Sequence, residues 1–366
     1  MATIALAGGG TGGHVYPAIA IGDVLRARGH TVLYYGDSER IEARVAPERG
    51  YAFRAVRALQ YPRAGILGKI RFGWGLLRAI LATRGQLRAD GIDLVLGVGG
   101  YISAPPVLAA WTLGRNRAVH EANVVPGLAN KLCGRVSQLV LVTYDKTRGR
   151  IPGKAPNHTV GVPVNRKILG GDRAVAAAHY GLDPALPTVL FVGGSLGAAR
   201  LNELAVAVAQ DPGRRFQVLH LCGPRYHADV VAALGPPPAG VCLRDYENQM
   251  QLAYAMADLV VARAGSSTLG ELCAVGKPSL LIPSPNVTEN HQEENARGLA
   301  ESGAAEVLVE AGWDVASAVA RVGRLMGDNE ALGAMAAAAA REARLDAADR
   351  AADLVEALLQ PSRPST

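Results

Sequence analysis

The sequence predicts an α/β protein of two parallel-sheet domains, and three observations carry that prediction. Short apolar runs alternate with helical stretches along the whole chain, and buried strands separated by helices pair in parallel. The runs fall into two groups of five: TIALA, TVLYY, DLVLGV, AVHEA and LVLV before residue 143, then TVLFV, QVLHL, GVCLRDY, DLVVA and SLLIP from residue 188. Between the groups, GVPVNRKILGGD (Gly161–Asp172) is rich in Gly, Pro and charge and reads as a linker. Two Rossmann-like sheets facing each other across a deep cleft is the economical arrangement, with expected domains at 1–162 and 163–342. The alanine-rich run Asn329–Gln360 is helical, and PSRPST at 361–366 reads as a frayed tail.

The bulk numbers fit this reading. At 366 residues the chain is about two domains long. A composition of 49% hydrophobic and 19% charged residues is that of an ordinary globular protein, and the net charge of +6 favours anionic partners without choosing among them. Cys133, Cys222, Cys242 and Cys273 are scattered with no Cys-x-x-Cys pair, which fits a reducing compartment better than disulfides or zinc. No basic segment precedes the first apolar run, so no signal peptide is expected. The 21 uncharged residues Leu94–Gly114 have the length of a bilayer span. Gly97, Gly99, Gly100, Pro105 and Pro106 divide them into a strand, a turn and a short helix instead.

The feature that points to function is a repeated punctuation. Four times a strand ends in small residues and a helix begins: LAGGGTGGH, LGVGGYIS, FVGGSLGA and VARAGSST. In open α/β sheets ligands bind at the carboxyl ends of strands, where helix N-termini offer N–H groups and a positive dipole to phosphate. Two such turns in each half predict phosphorylated ligands. Five of the six residues Gly8–Gly13 are glycine, and Gly8-x-Gly10-x-x-Gly13 also satisfies the dinucleotide fingerprint, with Asp37 placed to hold a ribose. An NAD-dependent oxidoreductase therefore stays open on the residues alone. A P-loop is excluded because no Gly-Lys-Ser/Thr follows.

GGGTGGHVYPA, GVGGYISAP, HEAN, GVPV, GGSLGA, RAGSST and SPNVTENHQEENA occur in the order found in the bacterial MurG-type N-acetylglucosaminyltransferases, and the resemblance runs from Ile4 to about Leu358. It implies a two-domain GT-B fold, with a last helix (343–360) that returns to the N-terminal domain. The implied reaction is inverting transfer of N-acetylglucosamine from UDP-N-acetylglucosamine to the 4-hydroxyl of undecaprenyl-diphospho-N-acetylmuramoyl-pentapeptide (lipid I), giving lipid II for peptidoglycan. Another UDP-sugar:lipid transferase of the same fold is the nearest alternative.

Inverting transfer needs a base, a stabilised oxocarbenium and a place for the departing diphosphate. His14 is the candidate base, read as sitting just before a helix whose first residue is Pro17, where the dipole disfavours imidazolium. Glu121 is the second catalytic candidate, acting on the acceptor or holding His14. Gly9, Gly10, Gly99, Gly100 and Tyr101 are assigned to the acceptor diphosphate, and Thr11, Gly12 and Gly13 to the UDP-sugar. The resemblance adds Asn123 for sugar hydroxyls, Gly194, Ser195 and Gly197 for the UDP phosphates, and Ser266, Ser267, Thr268 and Glu271 for the donor. Glu271 accepts the ribose hydroxyls in that reading, although Thr268-x-x-Glu271 also spells a capping box. Gln292 matches a sugar-holding position and His291 beside it departs from some members. Ala122 stands where the family has Gln; Asn165, where it has Arg, and Arg166 next to it are the two candidates for the donor phosphate. No Asp-x-Asp pair occurs, and neither a metal nor a cofactor is expected.

A lipid-linked acceptor requires contact with the bilayer. Gly65–Arg88 carries Ile66, Leu67, Ile70, Phe72, Trp74, Leu77 and Leu81 among Lys69, Arg71, Arg78, Arg84 and Arg88, with no acid. Basic amphipathic helices containing Trp lie in the headgroup plane. The expected location is the cytoplasmic face of the bacterial membrane, as a peripheral protein. Anionic phospholipid is an expected partner, cell-wall and division proteins are further candidates, and nucleic acid is not expected.

Overall fold

The computed structural model describes residues 1–58, 65–287 and 290–360, so the tail at 361–366 and the side chain of Ile66 lie outside the described residues. The chain divides into two compact units, one comprising Met1–Asn165 with the chain from Leu345, the other Arg166–Arg344. The expected boundaries fall two to three residues earlier, inside the Gly161–Asp172 linker and at 342/343.

The first unit holds strands β1 (Thr3–Ala7), β2 (Thr31–Gly36), β3 (Ala52–Ala55), β4 (Leu94–Gly97), β5 (Asn116–Glu121), β6 (Leu139–Val142) and β7 (Asn157–Thr159). All pair in parallel in the order β3-β2-β1-β4-β5-β6-β7. Its helices are α1 (Gly12–Ala27), α2 (Ile41–Glu48), α3 (Ile66–Ala89), α4 (Ala104–Thr112) and α5 (Leu128–Gly134). Side chains alternate across the sheet, so β1 buries Ile4 and Leu6 with Val15 and Ile19 of α1 on one face. Ala5 and Ala7 pack on the other face with Leu87 of α3 and Val107 of α4.

The second unit holds α6 (Arg173–Tyr180), β8 (Thr188–Val192), α7 (Ala199–Gln210), β9 (Gln217–Leu221), α8 (His227–Leu234), β10 (Val241–Arg244) and α9 (Met250–Met256). It continues with β11 (Leu259–Ala262), α10 (Ser266–Ala274), β12 (Ser279–Leu281), α11 (His291–Glu301), β13 (Ala305–Val307), α12 (Val315–Met326) and α13 (Asn329–Glu342). The parallel sheet order is β10-β9-β8-β11-β12-β13. Both sheets are doubly wound. The strand order reverses between β1 and β4 in one unit and between β8 and β11 in the other, and those switch points are where such sheets bind ligands.

The alanine-rich run is two helices. α13 stays in the second unit, while α14 (Ala347–Ala357) packs in the first, burying Ala351, Ala352 and Val355 with the α1 side of the sheet. Arg28 also reaches Asp353 at 2.6 Å and Glu356 at 2.8 Å, and His30 Nε2 lies 2.9 Å from Glu356. Part-exposed ion pairs contribute about 0–1 kcal/mol each, so the apolar face fixes α14 and the charges set its register. Leu94–Gly114 forms β4, a glycine turn and α4, and no described helix is long and apolar enough to cross a membrane.

Candidate active site

The two glycine turns of the first unit leave the adjacent strands β1 and β4 and pack on each other. Gly9 N–H donates to Gly99 O at 3.3 Å, and a Cβ on Gly100 would lie 2.4 Å from Gly9 O. Gly10 N–H is also committed, to Glu42 Oε2 at 2.9 Å. The amides of Gly9 and Gly10 therefore do not face a diphosphate, as the sequence reading had them. Gly8 and Gly100 are cleared for the facing loop, Gly9 for the Glu42 carboxyl, and Gly10 takes a φ of 87°, while the positive end that suits an anion is the start of α1, at Thr11, Gly12 and Gly13.

That helix begins at Gly12, not at Pro17, so His14 is its third residue and Pro17 lies inside it, buried. His14 N–H donates to Thr11 O, and its Nδ1 lies 3.2 Å from Thr11 Oγ1. The ring rests on Gly99, where a Cβ would come within 2.7 Å of Cδ2. Tyr101, next to Gly100, donates its hydroxyl to Asp37 Oδ2 at 2.6 Å, and burial with that bond raises its pKa. Asp37 Oδ1 accepts the Glu39 N–H. The acid expected to hold a ribose of NAD thus holds the second glycine turn instead.

At the end of β5, Glu121 is buried and its oxygens accept four donors: Asn123 N–H at 2.9 Å, Asn123 Nδ2 at 3.2 Å, Gly127 N–H at 3.0 Å and Asn130 Nδ2 at 2.9 Å. A carboxylate so saturated braces the β5–α5 loop. Asn123 is turned into the same brace. His120 is wholly buried with neither ring nitrogen hydrogen-bonded, and burial, with nearby His14, pushes its pKa down to about 4.

Asn165, the last residue before the second unit, donates Nδ2 to Asp23 Oδ2 at 3.1 Å, and Asp23 also accepts Tyr51 OH at 2.6 Å. This ties Asn165 to α1. Arg166 opens a short 3-10 turn.

In the second unit the loops after β8, β11 and β12 leave three neighbouring strands. Gly197 is glycine because a Cβ would lie 2.1 Å from Cys222 O, and its N–H donates to Gly194 O at 3.0 Å. That amide is therefore not one for phosphate. Gly194, at φ 83°, has open space where a Cβ would stand, with Ser195 beside it ahead of α7. Ser266, Ser267 and Thr268 form the first turn of α10 behind an extended Gly265. The capping-box alternative falls, since Thr268 is inside the helix and Glu271 lies a turn further on. Glu271 Oε2 instead accepts Tyr254 OH at 2.8 Å, and burial pushes the carboxyl up to about 7 while the tyrosine pulls it partly back. Gln292 Oε1 accepts Ser284 N–H at 2.9 Å, which closes the β12–α11 loop; His291 precedes it as the first residue of α11. Tyr254, Glu42 and Asn130 were missed, because their partners lie 5 to 32 positions away.

On α3, Leu67, Ile70, Trp74, Leu77 and Leu81 are exposed, Leu67 by 83% and Trp74 by 64%. Their spacing of three and four puts them on one face. Phe72 is half-buried and off that stripe, while Leu81 belongs to it.

Residues 4–142 match the glycosyltransferase family 28 N-terminal domain, and residues 188–351 match its C-terminal domain. A protein of Clavibacter michiganensis named UDP-N-acetylglucosamine--N-acetylmuramyl-(pentapeptide) pyrophosphoryl-undecaprenol N-acetylglucosamine transferase is 40% identical over all of this chain and 99% of its own. The chain belongs to glycosyltransferase family 28, among its MurG-type members. A family member of the same name from Symbiobacterium thermophilum is 37% identical, covering 98% of this chain and 96% of its own. Acinetobacter baumannii MurG superposes with a TM-score of 0.75 at 26% identity, covering 98% of this chain and 100% of that one. The kitacinnamycin glycosyltransferase, at 19% identity and TM-score 0.71 over 98% of this chain and 99% of that one, shares the GT-B fold.

Proposed function

We propose that this family 28 chain transfers N-acetylglucosamine from UDP-N-acetylglucosamine to the 4-hydroxyl of lipid I, giving lipid II at the cytoplasmic face of the bacterial membrane. The observation that carries the reading is full-length similarity to transferases named for that reaction, together with anion-ready helix ends at the switch point of each sheet. In this reading the 4-hydroxyl oxygen bonds to the sugar's anomeric carbon as the bond to the UDP phosphate breaks. His14 takes the hydroxyl proton. The first turns of α7 and α10, with Gly194, Ser195, Ser266 and Ser267, receive the diphosphate charge. Glu271 accepts the ribose hydroxyls, and Gln292 donates its amide to the sugar.

A thermal-shift panel tests the donor. Ligand at 100 times its dissociation constant adds about 2.7 kcal/mol, a shift of several degrees. UDP-N-acetylglucosamine and UDP are expected to stabilise the chain and NAD is not; stabilisation by NAD alone refutes the proposal.

The stripe on α3 is the proposed bilayer contact. Its exposed apolar side chains are flanked by Lys69, Arg71 and Arg78, also exposed, a pattern that fits an anionic headgroup plane. Each nearby cation contributes about 1 kcal/mol on such a surface. Replacing Leu67, Ile70, Trp74 and Leu77 by Ser is expected to abolish sedimentation with vesicles containing phosphatidylglycerol while leaving the UDP thermal shift intact. Undiminished sedimentation rejects this helix as the contact.

A further inference from the structure

The first glycine turn rests on a buried carboxylate. Glu42, the second residue of α2, is fully buried; Oε2 accepts Gly10 N–H at 2.9 Å and Oε1 accepts Asp37 N–H at 3.1 Å. Gly9 stands directly over it, since a Cβ there would lie 2.2 Å from the carboxyl carbon, and a Cβ on Gly36 would lie 2.5 Å from Glu42 Cγ. Asp37 extends the contact to the other turn through Tyr101 OH at 2.6 Å. The short segment 37–42 thus ties down both glycine turns, one arm ending two residues before Gly12 and the other beside Gly100.

The chemistry requires a carboxylate at this point. Two N–H donors converge on one side chain, and only a carboxylate gives each of them an oxygen. A glutamine offers a single acceptor and sets its NH2 against the other N–H, leaving a buried donor unpaired. A negative charge behind a turn that is to receive an anionic acceptor costs binding by repulsion. Loop geometry offsets that cost: with Gly10 N–H drawn back onto Glu42, the turn leads into the positive end of α1, where His14 stands.

We infer that Glu42 is a positioning residue for acceptor transfer, holding the Gly9–Gly10 turn so that Thr11 and His14 are presented from the start of α1. The inference rests on the transferase reading above. The test uses full-length Glu42→Gln, with transfer from UDP-N-acetylglucosamine to a short-chain lipid I analogue and the UDP thermal shift measured side by side. Loss of one charge-assisted bond predicts a fall of about 10- to 100-fold in kcat/KM for the acceptor. The donor KM and the UDP shift, which report the second unit, stay within about twofold.

Glu42→Ala should regain rate with added formate and not with formamide, because only formate supplies two acceptor oxygens. Rescue by both, or unchanged acceptor kinetics, overturns the inference and reduces Glu42 to core filling. If Glu42→Gln gives no cooperative melt, Asp37→Ala decides from the other arm: acceptor kcat/KM falls several-fold with the UDP shift retained, or the inference fails. A wild-type chain that binds UDP but transfers nothing to lipid I overturns the transferase reading itself, and this inference with it.

Discussion

Replacing His14 by Ala is expected to lower kcat for transfer by about 10²- to 10⁴-fold, the range for a lost general base, without changing the UDP thermal shift. The separation follows from the fold. His14 is on α1 of the first unit, while the turns proposed for the UDP diphosphate and ribose are in the second. His14 Nδ1 lies 3.2 Å from Thr11 Oγ1, and in the tautomer that donates Nδ1–H to that hydroxyl the lone pair sits on Nε2, the form a base needs. Thr11→Val, which keeps the shape and removes the acceptor, is then expected to cost roughly 10-fold in kcat. Gly99→Ala is a harsher version of the same test. Its methyl would enter the space of the imidazole at a backbone φ of 94°, so the ring must swing away. Steady-state kinetics on the three variants checks the set, and a His14→Ala enzyme with wild-type kcat removes the residue from the chemistry.

The fold was legible because both of its rules are local. Parallel strands buried on two faces read as short apolar runs, and ten of them stood out as TIALA or DLVVA do. β3 (AFRA), β7 (NHT) and β13 (AEV) escaped because they carry too few apolar residues to read as a run, whereas β12, equally short, lies in SLLIP. The residue pattern alone reads the alanine-rich tail as one helical run, since nothing in AREARLDAA marks a stop by Gly or Pro, and only the resemblance set off 343–360; the chain turns there because α13 and α14 bury in different units.

The site was legible in position and partly misread in role. Glycines that looked like invitations to phosphate proved at Gly9, Gly100 and Gly197 to be clearances for another backbone or side chain. Spacing shows that a side chain is absent and not what fills the space. Glu121 read as a catalytic candidate because spacing does not show that one of its four donors is an amide nine residues away, and Asp37 read as a ribose ligand because its true partner is Tyr101, 64 residues on. Position on a strand end comes from local pattern, whereas the direction a carboxylate faces is set by contacts that close only in three dimensions.

Glu271 makes the second large prediction, and it is a prediction about pH. Burial lifts its carboxyl to about 7, so near neutrality the unliganded chain is part protonated there. Two ribose hydroxyls can both donate only to the ionised form, so UDP binding releases up to one proton and its affinity rises from pH 6 to 8, then levels. Glu271→Gln should weaken UDP by about 10- to 100-fold at pH 8 and flatten that slope, as titration calorimetry at several pH values would read. Stability moves the other way. The folded chain keeps a proton that the unfolded chain gives up above its ordinary carboxyl pKa, so the stability this group contributes is present in acid and is lost as pH rises through about 7. Gln resembles the protonated acid and its carbonyl still accepts from Tyr254 OH, so the variant should melt at or above the wild-type temperature at pH 8 and hold no such advantage at pH 4. A helix-stabilising role predicts the reverse pair, a lower melting temperature with UDP affinity unchanged. A side chain that improves stability when replaced and ruins donor binding is kept where it is for the ligand.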